Sequence, residues 1–312
     1  MIVDDDLARY NPDIISMDRF KDRDSEHETI IICASDPTQN LEIVKELKKR
    51  KIQAQVKNIL SLPVVHHPEK EDYFNRVKEL LRVRKASGYE LARFGRHNDG
   101  GYVLLNDIQN CRIAYSFGIN DDVSWDEEIA AYGVEVYCYD HTIHTLPKEN
   151  TKLHFNKIGI GATDSLGTGL LSIDTILSLN KHQKETGMIM KMDVEGAEWE
   201  FIHQVGSEIL NRFSQLTFEF HHVANPDFLN CEDTLAVFEK LNQTHQVIWI
   251  HANNYDIAER AGEVILPNTL EITYANKNQY QFEPTEYDCP LSIDEPNYYL
   301  RPDIELKGFG AV

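Results

Sequence analysis

Short apolar runs alternate with longer amphipathic stretches through most of this chain. Strand-like runs fall at 111–117, 134–139, 152–158, 187–192, 215–220, 246–251 and 269–275, with helical periodicity near 124–131, 172–182, 197–210 and 231–241. Apolar strands separated by helical crossovers predict a doubly wound, mostly parallel seven-stranded sheet with both faces covered. The last two strands are joined only by AERAGEVILPNT, a poor crossover helix, so they are expected to form an antiparallel pair at one edge.

Upstream, TIIICA at 29–34 predicts a short buried strand. Asp36, Pro37 and Gln39 then supply an N-cap, a first-turn proline and the third member of a capping box for a helix to about Arg50. Residues 52–60 alternate as a strand, and 69–86 have the pattern of an amphipathic helix. The expected organisation is an N-terminal α/β extension or small domain over 1–90, a Rossmann-like domain over 91–280, and an acidic, proline-bearing surface tail over 281–312.

The formal net charge of −20 on 312 residues argues against a large nucleic-acid or anionic-membrane face. A local exception is the run Lys78, Arg82, Arg84, Lys85, Arg93 and Arg96, which reads either as a solvated face or as a patch for an anionic substrate. The cysteines Cys33, Cys111, Cys138, Cys231 and Cys289 show no CxxC spacing and read as reduced core residues. MIVDDDLARY has no signal-peptide character, and no apolar run approaches the roughly 20 residues of a spanning helix. The expectation is a cytoplasmic protein without membrane insertion, with a homo-oligomer left open.

The first main-domain strand ends at Gly118 and the second at Asp140, 22 residues on, about where a doubly wound unit places an acid for a ribose diol. The intervening INDDVSWDEE lacks the further glycines of a pyrophosphate cradle, and Asp121 and Asp122 would repel phosphate yet tolerate a sulfonium cation; capping a helix is their other role. Asp164 and Ser165 follow the third strand, where they could reach an adenine amino group or close a turn. The fourth strand runs into Asp193, Glu195 and Gly196, and the fifth carries Glu219 into His221 and His222. The sixth ends at His251, Asn253 and Asn254, and an earlier turn, GRHNDGG, could carry Arg96 and Asn98 toward a substrate. Two carboxylates and a glycine at the mouth of a central strand are poorly explained by packing, because buried charges need partners.

RFGRHNDGGYVLL at 93–105, YSFGINDDVSWD at 115–126, MKMDVEGAEWE at 190–200, IHANN at 250–254 and PNTLEITY at 267–274 together resemble the FkbM-like and METTL24-like group of S-adenosylmethionine-dependent methyltransferases. The likeness spans about residues 85–280 and implies a class I methyltransferase-like fold. It implies that Phe117, Gly118 and Asp122 line the methionine end of the cofactor, Asp140 the ribose and Asp164 the adenine side. It also implies O-methylation of a sugar or small metabolite, and the basic stretch before the main sheet extends the expectation to an anionic acceptor, a phosphorylated small molecule or a surface-polysaccharide precursor.

An acceptor hydroxyl must lose its proton while aligned with the methyl carbon and the departing sulfur. One arrangement uses His221 or His222 as general base, oriented by Glu219 or Asp193. The other uses Asp193, His221 and His251 to hold a divalent cation, Mg2+ or Mn2+, that lowers the acceptor's pKa. An NAD-dependent oxidoreductase or epimerase on a similar sheet would need the missing glycine cradle, and a noncatalytic scaffold is the third reading.

Overall fold

The computed structural model describes residues 68–165, 167–225 and 231–311, with the short strands Ile2–Val3, Ile14–Ile15, Thr29–Ile32 and Gln55–Asn58. The chain forms two compact units, Met1–Val65 and His66–Val312. In the first, the four short strands pair in parallel in the order Ile14–Ile15, Ile2–Val3, Thr29–Ile32, Gln55–Asn58. The helix expected from Asp36 to Arg50 lies outside the described residues.

The second unit is built on the seven expected strands: β1 (Ile113–Phe117), β2 (Glu135–Tyr139), β3 (Leu153–Asn156), β4 (Met188–Met192), β5 (Phe213–Phe220), β6 (His245–Ala252) and β7 (Leu270–Asn276). Their order is β3-β2-β1-β4-β5-β7-β6. Only β7 runs against the others, and it pairs with both β5 and β6. The antiparallel pair therefore does sit at one edge, with the reversed strand inside and β6 outermost. AERAGEVILPNT between them folds as a hairpin, Ala258–Ala261 against Val264–Pro267.

The helices are α1 (Pro68–Leu80), α2 (Ser124–Ala131), α3 (Ile173–Leu179), α4 (Glu198–Gln204), α5 (Ser207–Leu210) and α6 (Cys231–Thr244). Strand periodicity explains the two cores: Tyr115, Phe117, Met190 and Met192 face one with α1, α3, α4 and α6, while Ala114 and Ile189 face the other with Trp125 and Ile129 of α2. Every residue of β4 and β5 is buried, as central strands covered on both sides require.

Three expectations change. The helix expected over 197–210 is two helices, because Val205 and Gly206 are extended and glycine is a poor residue to carry a helix through. The helix expected over 69–86 ends at Leu80, and Arg84–Ala86 instead pairs antiparallel with Phe282–Pro284. Residues beyond 280 are not confined to the surface: Tyr287, Cys289, Leu306 and Phe309 are buried in the larger core. Tertiary pairing with this segment overrides the local helical pattern of 81–86. Helix α1 packs on α6 and the 258–267 hairpin, so it belongs to the larger unit rather than with residues 1–65. No helix among the described residues is long and apolar enough to cross a membrane.

Leu306 is wholly buried although it lies six residues from the C-terminus. Leu306→Ala should lower unfolding free energy by about 2–4 kcal/mol in urea titration, as for other core truncations. Glu305→Ala, at the exposed neighbouring position, should change it by less than about 0.5 kcal/mol.

Candidate functional site

The strand order reverses between β1 and β4, and at that switch point a cavity of about 920 Å³ opens beyond the carboxyl ends of the parallel strands. Gly118 ends β1 with φ +78°, and a Cβ there would collide with the Asp193 carbonyl. Glycine is thus required by the close approach of β1 to the turn after β4, in addition to lining the cavity.

Beyond Gly118, the backbone amides of Ile119 and Asn120 point at one oxygen of Asp140, each at 2.9 Å. The other oxygen accepts from the Thr142 amide at 2.7 Å and the Thr142 hydroxyl at 2.6 Å. Burial would raise the Asp140 pKa, but these donors outweigh it and hold the pKa at about 2. A carboxylate offers about four acceptor positions, and all four are engaged inside the protein. Asp140 therefore organises the loop after β1; its oxygens are engaged within the protein rather than open to a ribose diol as the sequence suggested. Asp122 accepts from the Ser124 amide and hydroxyl and lies 3.5 Å from Arg96, so it anchors the start of α2 from the cavity wall.

The turn DVEGAE carries the chain from β4 into α4. Glu195 and Gly196 have φ of 56° and 102°, a conformation that costs a non-glycine residue energy and is found where surrounding structure enforces it. This reversal brings Asp193 and Glu198 to the same histidine neighbourhood. His221 Nδ1 donates to Glu198 Oε1 at 2.9 Å, and its Nε2 lies 3.4 Å from Glu195. Glu198 is wholly buried and its other oxygen has no partner among the described residues. Burial lowers the His221 pKa, but Glu198 and the other nearby carboxylates raise it above the usual value. Glu198, rather than Glu219 or Asp193, therefore orients His221. Asp193 accepts from the Tyr102 hydroxyl at 3.2 Å, while Glu219 is fixed by Asn253 Nδ2 at 2.5 Å. Burial, with Asp193 and Glu271 nearby, pushes the Glu219 pKa well above the usual carboxylate range.

His251 lies elsewhere. It is 2% exposed, with Nδ1 3.0 Å from Glu271 and Nε2 3.0 Å from Asp303. The metal set expected from Asp193, His221 and His251 is therefore not assembled. Donor atoms of Asp193, Glu219 and His221 instead lie within 4.8 Å of one another and could hold a cation. A second such group, His251, Cys289 and Asp294, is largely buried, with the Cys289 thiol pKa raised by that burial.

The cavity wall contains Gly118, Asp122, Asp140, Asp193, Glu195, Glu219, His221, Arg96 and Asn253 from the sequence-based set. Phe117 is instead a core residue stacked on Tyr115. Asp164 binds Ser172 and the Thr175 hydroxyl at the start of α3, and Ser165 pairs with Leu170; neither lines the cavity. His222, with φ 65°, is also off the wall. Asn98 and Asn254 bind the C-terminal segment, through Glu295 and Pro296 in one case and Tyr298, Arg301 and Pro302 in the other. Of the basic run, Arg96 alone lines the cavity; Arg82 pairs with Glu79 and Arg93 binds backbone carbonyls in its own loop.

Sequence reasoning missed Tyr102, Lys191, Ile160, Leu170, Tyr255 and Asp256 on the wall. Lys191 was legible as a lone cation within an apolar strand: its ammonium binds the Gly118 carbonyl at 2.9 Å and lies over the Tyr102 ring. Tyr102 and Tyr255 carried no comparable local signal. No protein-family profile matches this chain, and no curated protein matches it significantly in sequence. The fold and the cavity are those of a protein able to bind a nucleotide or similar cofactor.

Burial pulls the His251 pKa down, but Asp303 and Glu271 outweigh it and lift it from 6.5 to about 10. Above pH 6.5 the unfolded chain releases a proton that the folded protein retains, so this pair's contribution is complete below pH 6.5 and lost as pH rises through 10. Urea midpoints measured from pH 6 to 10.5 should fall across that interval, and the fall should be smaller in His251→Gln.

Proposed function

We propose that this protein transfers a methyl group from S-adenosylmethionine to a hydroxyl of a neutral polyhydroxyl acceptor, a sugar ring. The observation that carries the cofactor choice is the occupation of the Ile119 and Asn120 amides by Asp140. In dinucleotide enzymes, amides at the end of the first strand cradle phosphate. Here a protein carboxylate fills that place, which speaks against NAD and the oxidoreductase reading. The wall also carries nine carboxylates (Asp99, Asp121, Asp122, Asp126, Asp140, Asp193, Glu195, Glu219 and Asp256) against the cations Arg96 and Lys191. Such a wall favours a ligand with positive charge and disfavours phosphate. The sheet order, with the reversed seventh strand inserted beside the fifth, agrees with the class I methyltransferase-like arrangement the sequence motifs suggest.

When bound, the cofactor would supply a methyl group on a cationic sulfur: the C–S bond breaks with its electron pair staying on sulfur, a C–O bond forms to the acceptor, and the hydroxyl proton passes to the Asp193 carboxylate or through water to solvent. Ile160 and Leu170 offer apolar surface for a base on the β2–β3 side, and Trp125 contributes a buried indole N–H with no partner among the described residues. Asp193, Glu219 and His221 lie at the other end, where an acceptor hydroxyl would be placed. Tyr255 is 54% exposed on the wall and its ring lies 5.0 Å from Tyr298, a platform suited to the apolar face of a sugar. The basic run does not form an anionic-substrate patch there, so a neutral acceptor is preferred to a phosphorylated one.

Calorimetric titration should give saturable binding of S-adenosylhomocysteine and none of NAD. Asp140→Asn, in which an amide cannot satisfy all four donors, should weaken that binding at least about 10-fold while the protein stays folded by circular dichroism. Binding of NAD without S-adenosylhomocysteine would overturn the proposal.

A further inference from the structure

The corner formed by Asp193, Glu219 and His221 has a donor set that converges on the cavity. The three side chains come from the carboxyl ends of neighbouring strands β4 and β5, and their donor atoms lie within 4.8 Å of one another. Ligand atoms around a cation at about 2.1 Å stand roughly 3–4.2 Å apart, so small side-chain adjustments would bring these three onto one ion.

The corner is more than a group of acids. With Nδ1–H directed at the buried Glu198, the neutral His221 ring carries its electron pair on Nε2, the nitrogen 3.4 Å from the exposed Glu195 carboxylate, which a cation would displace. A carboxylate behind a histidine in this way fixes the ring and raises its strength as a ligand, the arrangement found behind metal-bound imidazoles. Burial is a separate observation. Asp193, Glu198 and Glu219 surround one imidazole, and none of the three pairs with a lysine or arginine among the described residues. Glu198 and Glu219 are 0% and 5% exposed, and the second oxygen of Glu198 is buried with no partner among the described residues, a polar group that burial alone does not explain. All three donor residues also line the cavity, which leaves the remaining coordination positions facing the space for substrate.

We propose that Asp193, Glu219 and His221 bind one divalent cation, with Glu198 as the positioning residue behind His221. Two carboxylates, one imidazole, no thiolate and open positions suit Mn2+ or Mg2+ better than a closed structural zinc site. The ion's use, drawing an acceptor hydroxyl into coordination and lowering its pKa, rests on the methyltransferase reading; the binding site does not.

The test uses the full chain, stripped with EDTA and dialysed, titrated with Mn2+ by electron paramagnetic resonance at constant pH, with S-adenosylhomocysteine titrated into the same preparations. The expected result is one Mn2+ per chain, weakened at least about 10-fold in Glu219→Gln and in His221→Ala, and about 10- to 100-fold in Glu198→Gln. Circular dichroism identifies folded variants, and the three substitutions provide independent probes of the corner. No stoichiometric binding to the folded wild-type chain at millimolar Mn2+ overturns the site. Equal Mn2+ affinity in folded Glu219→Gln and His221→Ala also overturns it. S-adenosylhomocysteine binding without Mn2+ binding leaves the methyltransferase reading standing and removes the cation; the reverse pattern supports the cation site and removes the methyltransferase reading.

Discussion

Two backbone amides at the end of a parallel strand make an anion site, and here the Asp140 carboxylate occupies it. The bond pattern ties the loop after β1 to the end of β2 and, through Thr142, to the chain beyond it. That loop carries Asp121 and Asp122 along the cavity wall, while Gly118 lets β1 approach the turn that presents Asp193. One carboxylate thus sets both the shape of this end of the cavity and its sign: an anionic group would have to displace Asp140, whereas a cationic one would meet surrounding acids.

The second organising element is the segment beyond residue 280. Glu295 holds His97 and the Asn98 amide, Asn297 reaches Asp99 and Glu271, and Asn254 is enclosed by Tyr298, Arg301 and Pro302. Asp99 and Tyr255 belong to the cavity wall, so the C-terminal segment fixes two loops that bound it without supplying the central side chains. His251 is part of this support. Its imidazole joins Glu271 of the reversed strand to Asp303 of the segment, and removing the ring would leave two largely buried carboxylates without the cation between them.

The sheet was legible because its strands are short apolar runs separated by helical periodicity, and because the β6–β7 connection lacked a crossover helix. The carboxyl-end rim was legible for the same reason: Asp140, Asp193, Glu219 and His221 are polar residues at the ends of apolar strands. What distinguished His251 from His221 was not local. Both end or follow a strand, but His251 lies beside Glu271 on the reversed strand and meets Asp303, a contact across 52 residues of sequence. Asp164 likewise looked like a cofactor contact by position, yet Ser172 and Thr175 satisfy it. The helix expected through residue 86 yielded to pairing with residues 282–284, a partner that no local periodicity could announce.

DVEGAE shows how a short sequence can encode both a local turn and the chemistry beside it. Asp193 leaves a fully buried strand toward the cavity; left-handed conformations at Glu195 and Gly196 then turn the chain so that Glu198 enters beneath His221. Glu195 bears the conformational cost although glycine alone is comfortable at such φ, and the gain is the convergence of a cavity carboxylate and a buried carboxylate on one histidine. With Glu219 held from the neighbouring strand by Asn253, His221 by Glu198 and Asp193 by Tyr102, the central polar groups of this corner are oriented by the fold itself.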